Sequence, residues 1–373
     1  MNHKFLNRRR MIWFSLLLVF ALTISGCEGT TEEMQHMQSG SEAQEEQKNS
    51  ITLTSEIVEL EDDFSAVRYD GDYGFDDFLA GGGASSDEEV IEYLANNLLS
   101  GLNLKDLLGG IFGCSTIAVS SPEGDALFGR NFDWENCEAM VVEAHPENGY
   151  ASLSTVNMDF IAQNISGGMV GMTLNLDEVK TLAALYAPLD GMNAAGLAVS
   201  VNMIQDSAVI EQDTDKPDIT TTTAIRLLLD KAGSVNEALK LLGQYDLHGS
   251  MGMMIHFAIA DSTGRSVAVE YVNNEMTVTK TPVLTNFYLA EGEKHGVGTE
   301  QSRKRYNILM NRLEETPKMD MEDVRDALDS VSKDNFGEFE STEWSIVMNL
   351  STGEAQYYHR ENYTNGYVFQ MNS

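Results

Sequence analysis

A thiol, a guanidinium and a carboxylate fall within twenty residues of one another in this chain, in the segments Gly113-Cys114-Ser115-Thr116 and Gly129-Arg130-Asn131-Phe132-Asp133-Trp134. A cysteine attacks as its thiolate, and a neighbouring cation favours that form, so an arginine close in space is what a nucleophilic cysteine requires. Ser115–Ser121 and Ala126–Phe132 have strand character, and Pro122-Glu123-Gly124-Asp125 between them has the composition of a turn. Folding that hairpin returns Arg130 and Asp133 to the side of Cys114, with roughly residue 134 opposite the thiol. Cys114 is therefore the candidate nucleophile.

Cys114-Ser115-Thr116-Ile117 together with Gly129-Arg130-Asn131-Phe132-Asp133 resembles the opening of the choloylglycine hydrolase and acid ceramidase group, which are N-terminal-nucleophile (Ntn) amide hydrolases. The resemblance runs from Cys114 to about the C-terminus. It implies an α+β fold, specifically a four-layer αββα sandwich, and a nucleophile whose own α-amino group is the general base. An α-amine titrates near pH ~8 and accepts a proton under mild conditions. Since Cys114 lies far from the encoded N-terminus, the mechanism requires cleavage between Gly113 and Cys114. In this respect the chain is more similar to acid ceramidase and the penicillin-forming acyltransferase, which process a precursor into two associated chains.

The same resemblance implies roles for five further residues. Arg130 contacts the substrate or the thiolate, and Asp133 orients the α-amine. Asn202, at the end of the Leu197–Asn202 strand, matches an oxyanion-hole donor, a group whose loss costs a hundredfold or more in rate. Asn286, after Val283-Leu284-Thr285, resembles the second active-site asparagine. In Ser302-Arg303-Lys304-Arg305-Tyr306, Arg305 matches a family arginine better than Arg303 does. Asn193, within Asp190-Gly191-Met192-Asn193, has the character of a turn former.

The chain begins with Lys4, Arg8, Arg9 and Arg10, an apolar run from Met11 to Ile24, and Ser25-Gly26-Cys27. This pattern predicts a lipoprotein signal peptide over 1–26 and diacylation at Cys27, so an extracytoplasmic protein held to the membrane by lipid. Residues 27–54 are largely Glu, Gln, Ser, Gly and Thr and predict a disordered acidic tether. Loss of 1–26 leaves 20 basic against 58 acidic residues, a formal charge of −38, which makes nucleic acid an unsuitable partner. Beyond Cys27 only Cys114 and Cys137 remain, and in an exported protein two cysteines also suggest a disulfide, which would disable the nucleophile.

Residues 55–113 predict a helical pro-region: Ser86-Asp87-Glu88-Glu89 has a capping-box pattern, with Val90, Ile91, Leu94 and Leu98 on one face behind it. From 114 to 373, short strand signals dominate, at 139–143, 197–202, 253–260, 266–271, 276–279, 344–349 and 355–359. Helical patterns group at about 221–243, 301–315 and 320–332. Runs of strands with grouped helices predict layers and not alternating βαβ units. The seven histidines show no metal-ligand spacing, and no nucleotide motif is present, so cofactor-free hydrolysis is expected. His145 and His256 fall near strands as structural residues. The functional expectation is hydrolysis of a linear amide in a small N-acyl substrate through a Cys114 thioester. Transfer of that thioester to an amine, or an uncleaved binding lipoprotein, are the alternatives. The pro-region either gates the site or remains with the catalytic chain.

Overall fold

The structure is a computed structural model that describes residues 47–98, 113–162, 176–292, 298–333 and 340–371, all within one compact unit, Gln44–Ser373. The predicted signal peptide, Cys27 and the first part of the tether lie outside the described residues.

Two large sheets carry the fold. The first holds β1 (Gln47–Ser50), β4 (Gly113–Ser120), β5 (Ala126–Trp134), β15 (Val283–Leu284), β16 (Ser341–Asn349), β17 (Glu354–His359) and β18 (Asn365–Gln370), in the order β1-β18-β17-β16-β5-β4-β15. The second holds β2 (Val58–Glu61), β3 (Phe64–Asp70), β6 (Ala139–His145), β7 (Ser152–Asn157), β8 (Asp190–Asn193), β9 (Leu197–Ile204), β12 (Met254–Asp261), β13 (Ser266–Val272) and β14 (Glu275–Lys280). Its order is β14-β13-β12-β9-β8-β7-β6-β3-β2. A small parallel pair, β10 (Asp218–Thr220) and β11 (Asp246–His248), stands apart.

Helices α7 (Glu300–Glu315) and α8 (Met321–Asp329) cover the outer face of the first sheet, where Leu309, Val324 and Leu328 pack on Ile117, Leu127 and Val347. On the outer face of the second sheet lie α4 (Leu176–Leu185), α5 (Thr221–Lys231) and α6 (Val235–Leu242). The inner faces meet in a core that includes Phe128, Phe132 and Trp344, the last two stacked 3.9 Å apart. The layers are therefore α, β, β, α, as the resemblance implies. A strand of the first sheet is dry on both faces, which is why all nine residues of β5 are buried and why its sequence lacks polar alternation.

Alternation still sorts the side chains. Odd positions of β5 turn to α7 and α8, even positions to the second sheet. Gly129 is one of the odd positions, and a Cβ there would come within 2.7 Å of Val324 and 2.9 Å of Ile117. The glycine in Gly-Arg-Asn is thus set by the close seat of α8.

The N-terminal segment departs from expectation. The tether was expected to run to residue 54, but Gln47–Ser50 pairs in parallel with β18 as β1. The pro-region is also not simply helical. Val58-Glu59-Leu60-Glu61 and Phe64-Ser65-Ala66-Val67 have the period-two pattern of strands, and β3 pairs in parallel with β6 along Phe64–Asp70. Helices α1 (Phe75–Ala80) and α2 (Asp87–Tyr93) follow, and Ser86 accepts from the Glu89 N–H as its capping pattern implies. The Glu89 carboxylate reaches one residue further back, to Ser85 N at 2.8 Å. α3 (Asp159–Ala162) is a single turn.

Candidate active site

The β4–β5 ladder runs two residues tighter than expected, with Cys114 opposite Phe132 and Gly113 opposite Asp133. Cys114 and Arg130 sit on the inner face, and an Arg130 Nη2–H points at Cys114 Sγ from 3.7 Å. The guanidinium is held on its other sides by Asp190 Oδ2 at 2.6 Å from Nε and by the Val201 carbonyl at 3.0 Å from Nη1. It is wholly buried and lies over the Phe132 ring. Asp190 lies on β8 where a turn is predicted, and it also accepts from Trp344 Nε1 at 3.0 Å. Its carboxylate fixes which way Arg130 points.

On the opposite face of β5, Asp133 accepts from Thr342 Oγ1 at 2.7 Å and from Arg305 Nη1 at 3.2 Å. Lys333 Nζ stands 3.6 Å from the same carboxylate. Arg305, projecting from α7, ties the strands together, since Nη1 donates to the Cys114 carbonyl at 2.8 Å and to Ser115 Oγ at 2.5 Å. Its Nη2 donates to Asn286 Oδ1 at 2.8 Å. That oxygen also accepts from the Cys114 backbone N–H at 2.8 Å, while Asn286 Nδ2 donates to the Met203 carbonyl. Arg305, and not Arg303, is therefore the arginine in the site.

Five of the six residues singled out in the sequence, Cys114, Arg130, Asp133, Asn286 and Arg305, thus form one hydrogen-bonded cluster around the Gly113–Cys114 junction. Asn202 lies beside it on β9. Its Nδ2 faces the carbonyls of Leu284 and Thr285 at 3.5 and 3.4 Å, long bonds on the strand that leads into Asn286. Behind Asn202 on the same face of the sheet come His256 and Glu270, one per strand. His256 Nε2 meets the Thr285 carbonyl at 2.6 Å, and Glu270 accepts from Leu289 and Ala290 N–H. This buried pair holds the backbone on both sides of Asn286, and is the structural role expected of His256. His145 is a partly exposed partner of Glu143. Asn193 caps its own turn through Ala195 and Leu197 N–H, as predicted.

Burial pushes the Cys114 thiol up to about 11, with Arg130 and Arg305 opposing the shift and Asp133 adding to it. Only on the order of one thiol in ten thousand is then ionised at pH 7. A thiol so held needs a local base to react. The nearest nitrogen is its own, now an amide and an amine only after the bond to Gly113 is cut. Cys137 is a second buried thiol, pushed well above its usual range by burial, and both are free. The disulfide alternative is not what the structure contains.

Two layers of helices around two facing sheets, with a thiol at the head of the first central hairpin, make the four-layer arrangement of the Ntn-hydrolase fold. Residues 114–288 match the family model of the linear amide C-N hydrolases, choloylglycine hydrolase family. The fold is shared with a mutant of the conjugated bile acid hydrolase from Clostridium perfringens, with a TM-score of 0.51 and 19% identity, covering 69% of this chain and 92% of that one. It is likewise shared with penicillin V acylase from Agrobacterium tumefaciens, with a TM-score of 0.50 and 17% identity, covering 69% and 86%. Among curated protein sequences, none matches this chain.

Proposed function

We propose that this amide hydrolase is made as a precursor, is cut between Gly113 and Cys114, and then hydrolyses the amide of a small N-acyl substrate through a thioester on Cys114. The observation that carries the reading is the hold on the Cys114 nitrogen by Asn286 Oδ1 at 2.8 Å. Any buried N–H needs an acceptor, but here the acceptor is a side chain that Arg305 and the Met203 carbonyl hold in turn, which suits a nitrogen that is to become a free base.

In the cleavage step Cys114 Sγ attacks the Gly113 carbonyl carbon, the C–N bond breaks, and the thiol proton ends on the departing nitrogen. Water then hydrolyses the Gly113 thioester, giving a Gly113 carboxylate and a chain that begins with a free amine and a free thiol. In turnover that amine takes the thiol proton as the sulfur attacks the substrate carbonyl, and returns it to the leaving amine. Water, activated by the same group, releases the acyl product. Arg130 keeps a positive charge at the sulfur throughout, and Asn286 and Arg305 keep the nucleophile's backbone in place.

The N-terminal fragment in this reading is scaffold and not gate. β3 is a strand of the second sheet, β1 an edge of the first, and Tyr73, Phe75 and Phe78 are buried against Tyr186. A cut at Gly113 leaves those pairings whole, so the fragment stays as a subunit. If Cys27 is diacylated, this subunit also anchors the catalytic chain at the extracytoplasmic membrane face.

Masses and N-terminal sequences of the purified protein test the proposal. A chain starting at Cys114, bound to its N-terminal partner and turning over N-acyl amides, supports it. An uncut protein without amidase activity refutes it. The two structurally similar enzymes are named for conjugated bile acids and penicillin V, so the substrate panel should span steroid, aryl and fatty acyl groups.

A further inference from the structure

We propose that the Lys333–Glu340 ion pair is a positioning clamp for cleavage at Gly113–Cys114, and that this clamp is why glycine precedes the nucleophile. The proposal rests on the cleavage reading above and concerns what prepares the bond. Lys333 follows α8, Glu340 leads into β16, and their side chains form an ion pair directly over Gly113. A Cβ built on Gly113 would run into the Lys333 ammonium and the Glu340 carboxylate, and would come within 2.8 Å of an Asp133 oxygen. A larger residue fits only if the ends of these side chains shift away from Gly113.

The lysine is a constructed feature and not a stray surface charge. Its side chain is 4% exposed. Its backbone N–H donates to Thr342 Oγ1 at 2.8 Å, and the Thr342 N–H donates back to the Lys333 carbonyl at 3.0 Å. The same Thr342 hydroxyl donates to Asp133, so the lysine, the threonine and the aspartate move as a unit. Burying an ammonium is costly unless it is paired, and among the described residues the carboxylates facing Lys333 are Glu340 and Asp133.

Attack by the thiol puts negative charge on the Gly113 carbonyl oxygen, two bonds from the Cα on which the ammonium rests. A cation fixed there in a dry site favours the charged intermediate over the planar amide. The absence of a Cβ brings the cation close and leaves the peptide free to pucker. After the cut, the new Gly113 carboxylate forms beside Lys333, while the new α-amine stays at Asn286 Oδ1. Substrate turnover has no Gly113, and the pair then acts only by holding Asp133.

The test follows formation of the Cys114-initiated chain by mass spectrometry in the full-length protein, with thermal melting and near-ultraviolet circular dichroism as controls for folding. Lys333→Met should slow cleavage by about a hundredfold or more, the scale of losing one fixed donor to an oxyanion. Lys333→Arg, which keeps the charge, should recover most of it, a rescue that a merely space-filling role would not give. Gly113→Ala should block cleavage in a protein that melts near wild type, and it remains informative if Lys333→Met does not fold. Wild-type cleavage rates in folded Lys333→Met or Gly113→Ala protein would overturn the clamp and leave the cleavage reading standing. A wild-type chain that never cleaves would overturn both.

Discussion

The backbone nitrogen of Cys114 and the side-chain oxygen of Asn286 are 2.8 Å apart, so the amine that the proposed cut would release is already seated. Asn286 is itself fixed by Arg305, by the Met203 carbonyl and by Ser302 Oγ, which accepts from its backbone N–H.

Asn286→Leu is expected to remove the acceptor while keeping the volume. Cleavage and amide turnover should each fall by about a hundredfold or more, the scale of losing a preorganised polar group at a reacting centre. Parallel time courses of chain cutting and product release check this. A variant that cuts slowly but turns over at the wild-type rate once cut would confine Asn286 to the precursor.

Asp190→Asn should unsettle the site from behind. It leaves the wholly buried Arg130 guanidinium without its carboxylate, and breaking a buried pair from one side costs about 3–5 kcal/mol. Urea unfolding should show that loss. Activity should fall further than stability explains, because the arginine that faces Cys114 Sγ loses its orientation.

The parts of this arrangement that were legible in the sequence are those with local signals. A turn between two strand runs gives the β4–β5 hairpin, whereas Asn202, two residues inside β9, and Asn286 were picked out by the family resemblance. The hairpin register expected residue 134 opposite Cys114, two beyond the observed Phe132, because local pattern does not say where pairing starts. Asp190 was hidden by its neighbours: Asp-Gly and Asn suggest a turn, yet the aspartate is a buried strand residue chosen for Arg130. β16 starts at Ser341, three residues before the expected strand, since Ser341, Thr342 and Glu343 are polar yet buried, serving Asp133 and the Cys137 backbone. Lys333 and Glu340 had no signal, being charges after α8 and before β16 that only the three-dimensional fold brings onto Gly113. The strands at 58–70 did carry a period-two signal, masked by the acidic segment before them.

The N-terminal fragment should behave as a subunit. After cutting, it is expected to co-purify with the catalytic chain in native buffer and to separate only in denaturant. Tyr73→Phe should weaken it, because the Tyr73 hydroxyl donates to the buried Asp230 carboxylate, which pairs with Arg226 at 3.0 Å. Loss of one hydrogen bond to a charged group costs about 1.5–3 kcal/mol. Size-exclusion chromatography in graded urea measures it, and separation of the two pieces in plain buffer would contradict the subunit reading.

Acid should loosen the same seat through His359. Its ring stacks on Phe64 of β3 at 5.0 Å, with Glu61 Oε1 of β2 at 3.4 Å from Nδ1. Burial pushes His359 down to about 4, with Arg360 adding to the shift and Asp63 opposing it. The unfolded chain takes up this proton near pH ~6.5 and the folded one only near 4, so the stabilisation is complete above the first value and drains away as pH falls to the second. Its full size is about 3 kcal/mol. Burial raises Glu61 instead, which acts in the opposite direction, so the comparison must isolate the histidine. His359→Phe keeps a flat ring on Phe64 and removes the titration. The difference in unfolding free energy between the two proteins, measured from pH 7 to pH 4, should shift in favour of the variant as pH falls. A difference that stays flat would mean that His359 is protonated in the native state, with Glu61 holding its charge.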